Sequence, residues 1–320
     1  MKIKKHFILA VAVACFVCTS PSEAYRLRLQ WIPQTQFAGY YMAAEKGFYK
    51  EAGVDVVIMP VNPKIKCLHD VMYKKGDFET AWLASGITMR SNSPKKIVLI
   101  AQFFQKPALM LVARKSSKIN EIRDFSGRRL GVWSGVFSVL PRALLIKNRD
   151  RGVHSVKMIP QGFTIKPFLN GEIDVASAMR YNEYKQILDA GISEKDLKIF
   201  DFSELGMNLP EDGLYVRENF LKNNPEICRK VVAATVKGWK YAFAHKNETV
   251  SLITEIAGKN DHKTTKNKQR WMLDVVESLI DPNNTALKKD DFERAADMLR
   301  TLKMIRKIPS YEKFFKNVMK

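Results

Sequence analysis

Short apolar runs alternate with segments of helical periodicity along most of the chain, and this alternation constrains the fold more than any other feature. Residues 25–31 alternate like a strand, residues 36–46 place apolar side chains three and four positions apart, and residues 54–59 again suit a strand. A strand, a helix and a second strand in that order form a βαβ unit, whose strands lie parallel in one sheet. The pattern therefore predicts an α/β protein.

The alternation continues through two blocks of sequence that no Gly/Ser-rich linker separates. The first block ends near residue 113, the second opens near residue 116, and the chain becomes almost wholly helical after residue 216. Such blocks predict two doubly wound, mostly parallel sheets. The length of 320 residues also exceeds the roughly 250–300 residues at which a single core stops growing. We therefore predict two α/β lobes with a ligand cleft between them.

The first 24 residues have the order of a secretory signal peptide. Three lysines precede an apolar run at residues 7–18, and a small-x-small cleavage site ends at Ala24. The run is too short to span a bilayer, so we expect cleavage and a periplasmic protein. Cys15 and Cys18 lie inside the run, which argues against a metal site there; attachment of a lipid to Cys15 is the alternative.

The net charge bears on which molecules the chain can bind. The formal net charge is +20, and a basic chain can meet nucleic acid, an anionic membrane or an anionic ligand. Because the charges are dispersed and accompany no recognisable nucleic-acid motif, we predict solvated basic faces and no nucleic-acid partner. Cys67 and Cys228 are the cysteines that follow the signal, and the sequence leaves their pairing open.

Three junctions, each between a predicted strand and the following helix, carry side chains suited to a small ligand. Ligands of open α/β sheets bind beyond the carboxyl ends of strands, where aromatic faces and free backbone N–H groups can meet them. The junctions lie near residues 31–40, 133–138 and 179–184. Trp82, near the end of the strand predicted at 78–83, and Ser85, just after it, are added. The candidate ligand-binding residues are Trp31, Gln36, Phe37, Tyr40, Trp82, Ser85, Ser134, Gly135, Tyr181, Asn182 and Glu183.

Each junction also has a purely structural interpretation. Phe37 and Tyr40 have the spacing of a helix face that packs into the core. Ser134 suits a helix cap and Asn182 a polar helix start. Trp31 is the exception, because it ends a predicted strand beside a proline turn.

Catalytic signatures are absent from the sequence. There is no Gly-x-x-x-x-Gly-Lys-Ser/Thr loop, no Gly-x-Gly-x-x-Gly and no His-Glu-x-x-His. Ser134 stands one position too late for a nucleophile elbow of the form Gly-x-Ser-x-Gly. We therefore predict no cofactor and no metal ion and assign no catalytic residue, while the four histidines that follow the signal leave acid/base chemistry open.

The segment at residues 30–41, Gln-Trp-Ile-Pro-Gln-Thr-Gln-Phe-Ala-Gly-Tyr-Tyr, resembles a known superfamily, and the likeness continues through residues 44–56. It is similar to the solute-binding proteins related to thiamine-pyrimidine synthase. These include the formylaminopyrimidine binder of an ABC importer and, more distantly, sulfonate, nitrate and riboflavin binders. Weaker likeness at residues 125–132, 171–175 and 225–239 extends the resemblance over most of the mature chain.

The resemblance implies a type II periplasmic-binding-protein fold with crossover strands near residues 110–114 and 214–217. Lobe 1 would consist of residues 25–110 and 215–320, and lobe 2 of residues 111–214. Such a protein is expected to be a monomer that closes over a small ligand and delivers it to a membrane ABC permease. A sensory module that reports to a membrane receptor would have the same sequence features.

The candidate aromatic residues favour stacking on a planar ring over gripping a sulfonate. Glu183 can pair with an exocyclic amino group or a ring N–H. The resemblance makes a thiamine-precursor pyrimidine the predicted ligand. Riboflavin, another flat heterocycle or a small organic anion are the alternatives.

The superfamily also has an enzyme branch, in which a lysine holds pyridoxal phosphate and a histidine four residues later is consumed. An ungapped alignment from Asp77 places Ala81 and Ser85 at those two positions. A methyl and a hydroxyl group cannot replace an amine and an imidazole. The resemblance therefore implies a binding protein and not an enzyme.

Overall fold

The computed structural model describes residues 24–60, 67–94 and 96–320. Residues 1–23 of the predicted signal segment, including Cys15, lie outside the described residues. Within the described part, ten strands form two five-stranded sheets. No helix in that part is long and apolar enough to cross a lipid bilayer.

The first sheet has the strand order β2-β1-β3-β10-β4. Its strands are β1 (Tyr25–Arg28), β2 (Val56–Ile58), β3 (Phe78–Trp82), β4 (Ile97–Gln102) and β10 (Asp212–Arg217). Strand β1 pairs in parallel with β2 and β3, whereas β10 runs antiparallel to both β3 and β4.

The second sheet repeats this arrangement with the order β7-β6-β8-β5-β9. Its strands are β5 (Leu109–Arg114), β6 (Arg129–Val132), β7 (Lys157–Pro160), β8 (Val175–Met179) and β9 (Leu197–Asp201). Strand β6 pairs in parallel with β7 and β8, whereas β5 runs antiparallel to β8 and β9.

In each sheet the antiparallel strand is the one that arrives from the other sheet. The chain leaves β4 for β5 through residues 103–108 and returns from β9 to β10 through residues 202–211. This double crossing confirms the predicted two-sheet α/β class and adds one antiparallel strand to each mostly parallel sheet. Glu211, in the second crossover, accepts the backbone N–H groups of Ala108 (2.8 Å) and Leu109 (3.0 Å) and so ties the two crossovers together.

The helices cover both sheets, and the C-terminal third is helical as predicted. They are α1 (Ala38–Glu45), α2 (Phe48–Glu51), α3 (His69–Met72), α4 (Leu83–Asn92), α5 (Val139–Lys147), α6 (Lys166–Leu169), α7 (Glu183–Asp189), α8 (Glu218–Asn223), α9 (Pro225–Ala244), α10 (Lys246–Lys259), α11 (Lys266–Leu279), α12 (Lys289–Thr301) and α13 (Tyr311–Phe314). Helix α12 packs against both α4 and α5, so it contacts helices of both sheets.

The predicted elements differ from the observed ones mainly at their ends. The strand predicted at residues 25–31 ends at Arg28, which leaves Gln30 and Trp31 in the loop beyond β1. The helix predicted from residue 36 begins with a 3-10 turn, Thr35–Phe37, before α1. Thr35 joins this turn to α11, because its N–H and its hydroxyl donate to the side chain (2.8 Å) and carbonyl (2.9 Å) of Gln269.

Helices α1 and α9 approach each other closely beneath the loop that follows β1. A Cβ atom on Gly238 would lie 2.0 Å from the carbonyl oxygen of Gly39, so only glycine permits this contact. The Trp239 ring lies directly over Gly39. This packing holds α1, and therefore the loop before it, in one position on the first sheet.

The two cysteines of the described region do not pair. Cys228 is buried in α9, whereas Cys67 lies beside the cavity described below, and both are free thiols. The question that the sequence left open is therefore answered by the fold.

Candidate functional site

A cavity of about 460 Å³ lies between the two sheets. One side, here called the first wall, comes from the first sheet and the segments next to it: Arg28, Leu29, Gln30, Trp31, Ile32, Gln34, Gln36, Cys67, Glu79, Trp82 and Ser85. The other side, the second wall, comes from the second sheet and its loops: Trp133, Ser134, Gly135, Val136, Phe137, Phe163, Met179, Tyr181, Asn182 and Glu183. The cavity therefore lies where two α/β sheets face each other, the usual place for a small ligand.

Aromatic rings of the two walls meet across the cavity. Trp31 and Phe163 have ring centroids 5.0 Å apart, and Trp82 and Phe137 form an edge-to-face pair at 4.4 Å. Trp133 completes the group, with its centroid 6.1 Å from that of Phe137 and its indole N–H donating to the carbonyl of Gly162 (3.0 Å). These rings offer flat apolar faces on which a planar ligand can stack.

A chain of amide hydrogen bonds underlies the first wall. The Nε2 groups of Gln30 and Gln36 donate to the two carboxylate oxygens of Asp212, at 2.6 and 2.7 Å. Gln34 in turn donates from its Nε2 to Oε1 of Gln36. Asp212 is only 3% exposed and does not itself line the cavity. One buried carboxylate therefore orients three glutamine side chains of the wall.

Two carboxyl groups of this region have a pKa above the usual value. Burial raises the pKa of Asp212 to about 7, against the opposing effect of the Gln36 and Gln30 hydrogen bonds. Burial likewise raises the pKa of Glu79 to about 7, although its oxygens accept the backbone N–H groups of Leu68 and Val71. In both groups burial therefore opposes the charged form of the carboxyl group.

Glu183 supplies the acidic group of the second wall. Its oxygens accept the backbone N–H of Met179 (3.1 Å) and the side-chain amide of Asn182 (2.8 Å). Burial is the largest influence and raises the pKa of this carboxyl group. The group is therefore held by its own loop and lies at the edge of the cavity beside Tyr181.

Arg28 is the single cationic side chain among the described residues that line the cavity. Its Nε donates to Oδ2 of the buried Asp70 at 2.7 Å, and its Nη1 donates to the carbonyl of Pro60. The charge of the guanidinium group is therefore neutralised by a neighbour within the protein.

The turn at Ser134 and Gly135 is the most open part of the second wall. Both residues are exposed, and Gly135 has a φ of +65°, a backbone conformation that favours glycine. A short 3-10 helix, Gly135–Ser138, follows, and the Ser138 hydroxyl donates to the Gly135 carbonyl (2.7 Å). The turn carries Phe137 toward Trp82 of the first wall.

The structure brings nine of the eleven predicted site residues to this cavity. The exceptions are Phe37 and Tyr40, which are 1% and 2% exposed and belong to the hydrophobic core. Tyr40 packs edge-to-face on Phe103 and Trp239, because helical spacing turns it toward α9 and not toward the cavity. Phe37 and Tyr40 therefore pack in the core, as the structural interpretation of their spacing expected.

Several lining residues were missed by sequence reasoning. Gln30 and Gln34 flank Trp31, so their position beside the predicted junction was an available signal. Phe163 lies in an irregular loop, and no pattern in the sequence indicates that it faces Trp31. Asp212 was also missed, since its neighbours Gln30 and Gln36 are more than 170 positions away in the chain.

Pyridoxal phosphate does not fit the described residues of the cavity. None of the described lining residues is a lysine. Ala81 is fully buried in β3 and does not line the cavity, whereas Ser85 does. The amine that would hold the cofactor is therefore missing from the place where the resemblance expects it.

This chain is similar to one protein family and to several named proteins. Residues 34–249 match the family model described as NMT1/THI5 like. The riboflavin-binding protein RibY of Chloroflexus aurantiacus is 26% identical over 71% of this chain and 64% of its own length. The yeast protein THI13, named 4-amino-5-hydroxymethyl-2-methylpyrimidine phosphate synthase, is 25% identical over 68% of this chain and 66% of its own length. The chain thus spans slightly less than two thirds of these relatives.

Solved structures share the architecture at low sequence identity. The periplasmic aliphatic sulphonate binding protein SsuA of Escherichia coli superposes with a TM-score of 0.69 at 15% identity, covering 91% of both chains. At that identity the likeness concerns the fold. The family match covers most of the chain, and the two-sheet topology agrees with it, so this protein belongs to the NMT1/THI5-like family and has the periplasmic-binding-protein fold.

Proposed function

We propose that this chain is an exported solute-binding protein that encloses a flat, uncharged nitrogen heterocycle between its two walls. The observation that carries the proposal is the cavity between the sheets, in which aromatic rings from both walls face each other and amide and carboxyl groups form the rest of the lining. Rings supply stacking surfaces, and the polar groups supply hydrogen bonds to the edge of a heterocycle.

The charges of the lining argue against a small organic anion. Arg28 is neutralised by Asp70, while Glu79 and Glu183 line the cavity and Asp212 lies behind it. A sulfonate or nitrate would be buried beside acidic groups without a free cation among the described lining residues, which is costly in a site of low dielectric constant. The likeness to sulfonate binders therefore concerns the fold and not the ligand.

The size of the cavity favours a ligand with more than one ring. A volume of about 460 Å³ lies within the roughly 300–1,000 Å³ of pockets that enclose drug-sized ligands. A three-ring flavin fills such a space better than a single pyrimidine ring. The relative RibY, named as a riboflavin-binding protein, supports the flavin as the first candidate.

A thiamine-precursor pyrimidine is the second candidate. It is favoured by the family itself, since relatives such as THI13 are named as synthases of a pyrimidine phosphate. A single ring would stack on Trp31 or Trp82 and share the cavity with water. The same carboxyl and amide groups would meet its amino group.

We propose binding without catalysis. The lysine and histidine that the enzyme branch requires are replaced by Ala81 and Ser85, and Ala81 does not line the cavity. As a periplasmic monomer, the protein would close over its ligand and present it to an ABC permease or to a membrane receptor. The ligand would favour the closed arrangement by its higher affinity for that arrangement.

Thermal melting of the purified protein tests the proposal. Riboflavin, an aminopyrimidine, taurine and nitrate are each added at increasing concentration, because a ligand that binds the native state raises the melting temperature. A saturable rise with a ring compound is expected; Trp31→Ala should move it to about 100-fold higher ligand concentration, while the control Met319→Ala, an exposed C-terminal change, should leave it unchanged. A rise with taurine or nitrate and none with either ring compound would overturn the proposal.

A further inference from the structure

We infer that Asp212 is a positioning residue that makes the first wall accept hydrogen bonds, so that the enclosed heterocycle must turn an N–H edge toward Gln30 and Gln34. The inference rests on the proposed function and specifies the ligand chemistry of the same cavity. It assigns a role in specificity to a side chain that does not line the cavity.

Above its pKa of about 7, Asp212 is ionised, and its carboxylate has no hydrogen to donate. Both oxygens of Asp212 are occupied by glutamine side chains, Oδ1 by Nε2 of Gln30 and Oδ2 by Nε2 of Gln36. Each of these amides must therefore present its nitrogen to Asp212. Its carbonyl oxygen is turned to the other side.

The orientation of the Gln36 amide also fixes that of the Gln34 amide. Because Gln36 gives its nitrogen to Asp212, its oxygen accepts from Nε2 of Gln34. The oxygens of Gln30 and Gln34 are the ends that remain, and within the described residues no donor is found for either of them. Both residues line the cavity, so a ligand donor is the partner that these oxygens can take.

The position of Asp212 is fixed by its backbone. It begins β10 opposite Trp82 of β3, and its carbonyl oxygen accepts the N–H groups of Phe103 (3.1 Å) and Phe104 (3.0 Å) in the crossover. Gln36 and Gln34 are 3% and 5% exposed, so they have little freedom to turn. The amide chain thus has one orientation, set from its buried end.

The consequence is a preference among flat ligands. An amino group can donate one hydrogen to each of the oxygens of Gln30 and Gln34, and an imide N–H can donate to one of them, whereas an N-methyl group or an anion leaves both unpaired. Sites built to hydrogen-bond a ligand discriminate strongly against analogues that lack the group. The chemistry is shared by the imide of a flavin and the amino group of an aminopyrimidine.

The variant Asp212→Asn tests the inference. An asparagine side chain has one accepting and one donating end, so one of the two glutamine amides must turn over. Riboflavin and 3-methylriboflavin, in which the imide N–H is blocked, are titrated against each protein by flavin fluorescence, in a buffer above the pKa of Asp212 so that its carboxylate is ionised. The wild type should bind riboflavin more tightly by about tenfold or more, the effect of a lost buried hydrogen bond, and in the variant this ratio should fall toward one.

Two further variants separate positioning from a general structural effect. Asp174→Asn removes the same charge from an acid of the second sheet, paired with Arg129, and should keep the wild-type ratio. Gln30→Met removes one accepting oxygen without changing Asp212 and should lower the ratio in part. The melting temperature without ligand reports whether each variant is folded.

The outcomes are distinguishable. A ratio of riboflavin to 3-methylriboflavin affinity that is unchanged in both Asp212→Asn and Gln30→Met would overturn the inference while leaving the proposed function intact. Failure of the wild type to bind either flavin would overturn the flavin proposal, and the inference with it.

Discussion

The two walls of the cavity are built differently. In the first wall the polar side chains are buried and joined to one another, from Gln34 through Gln36 to Asp212. In the second wall the turn at Ser134 and Gly135 is exposed, and the Phe163 side chain is 62% exposed. The first wall thus contains a buried hydrogen-bonded network, whereas the second wall presents part of its surface from exposed loops.

This difference suggests different roles for the two walls in ligand binding. A buried network with one orientation sets which ligand edge is accepted, since its groups do not reorganise when the ligand arrives. Exposed loops with few buried contacts are the parts of a fold that move most easily. Under the proposed function, we therefore expect the first wall to serve recognition and the second wall to serve closure.

The largest difference in stability is expected between two Gly→Ala substitutions, one beneath the first wall and one in the second wall. Gly238→Ala would bring a Cβ atom within 2.0 Å of the Gly39 carbonyl and 2.8 Å of the Ala43 side chain. Such overpacking between α1 and α9 should lower the free energy of unfolding by about 3 kcal/mol or more. Urea denaturation measures this change.

Gly135→Ala is the matched substitution in the second wall. The new Cβ atom meets no atom within 4 Å, so only the positive φ opposes it, at a cost of about 1–2 kcal/mol. Equal losses in the two variants would contradict the assignment of the rigid support to the first wall.

A second contrast concerns affinity for a ring compound. Trp31→Ala should weaken riboflavin binding by about 100-fold, because the ring is a partly buried anchor next to the fixed amides. Phe163→Ala should weaken it by about tenfold, the worth of one aromatic pair. Calorimetric titration measures both, and a larger effect for Phe163→Ala would reverse the assigned roles.

The acids of the two sheets should give opposite dependences of stability on pH. The pKa of Asp212 is raised from 3.8 to about 7, so between these values the native protein holds a proton that the unfolded chain has released. Stability from this group therefore falls as pH rises from about 4 to 7. Hydrogen bonds from Arg129 lower the pKa of Asp174, so its contribution is present above its unfolded pKa and is lost as pH falls through the lower native value.

Melting curves between pH 4 and 8 test this pair. Asp212→Asn should flatten the decline of the melting temperature toward neutral pH, whereas Asp174→Asn should keep the wild-type slope in that window. An unchanged slope in Asp212→Asn would show that the buried acid does not take up a proton on folding.

The smallest expected effect lies at the contact between α11 and the second sheet. The indole N–H of Trp271 donates to the carbonyl of Arg180 at 3.1 Å. Trp271→Phe removes this bond, worth about 1 kcal/mol, and should weaken riboflavin binding roughly fivefold with little change in melting temperature. A large loss of stability would instead show that Trp271 acts mainly through packing and not through its hydrogen bond to Arg180.

Local periodicity predicted the strands and helices and the three junctions that line the cavity. Strand ends and helix starts can be recognised from nearby residues, so this part of the fold was accessible from the sequence. Phe37 and Tyr40 show the limit of that method, since a helical stripe does not say whether it faces a cavity or another helix. Asp212 shows a second limit. Its place beside Gln30 follows from β10 entering the first sheet from the other one, and no local pattern reports that pairing.

Hydrogen exchange with and without riboflavin tests the division between the walls most directly. The account predicts that residues 30–36 are protected in both samples, while residues 133–137 and 162–164 gain protection only when riboflavin is present. Protection that appears in residues 30–36 alone, or that changes in neither wall, would contradict it.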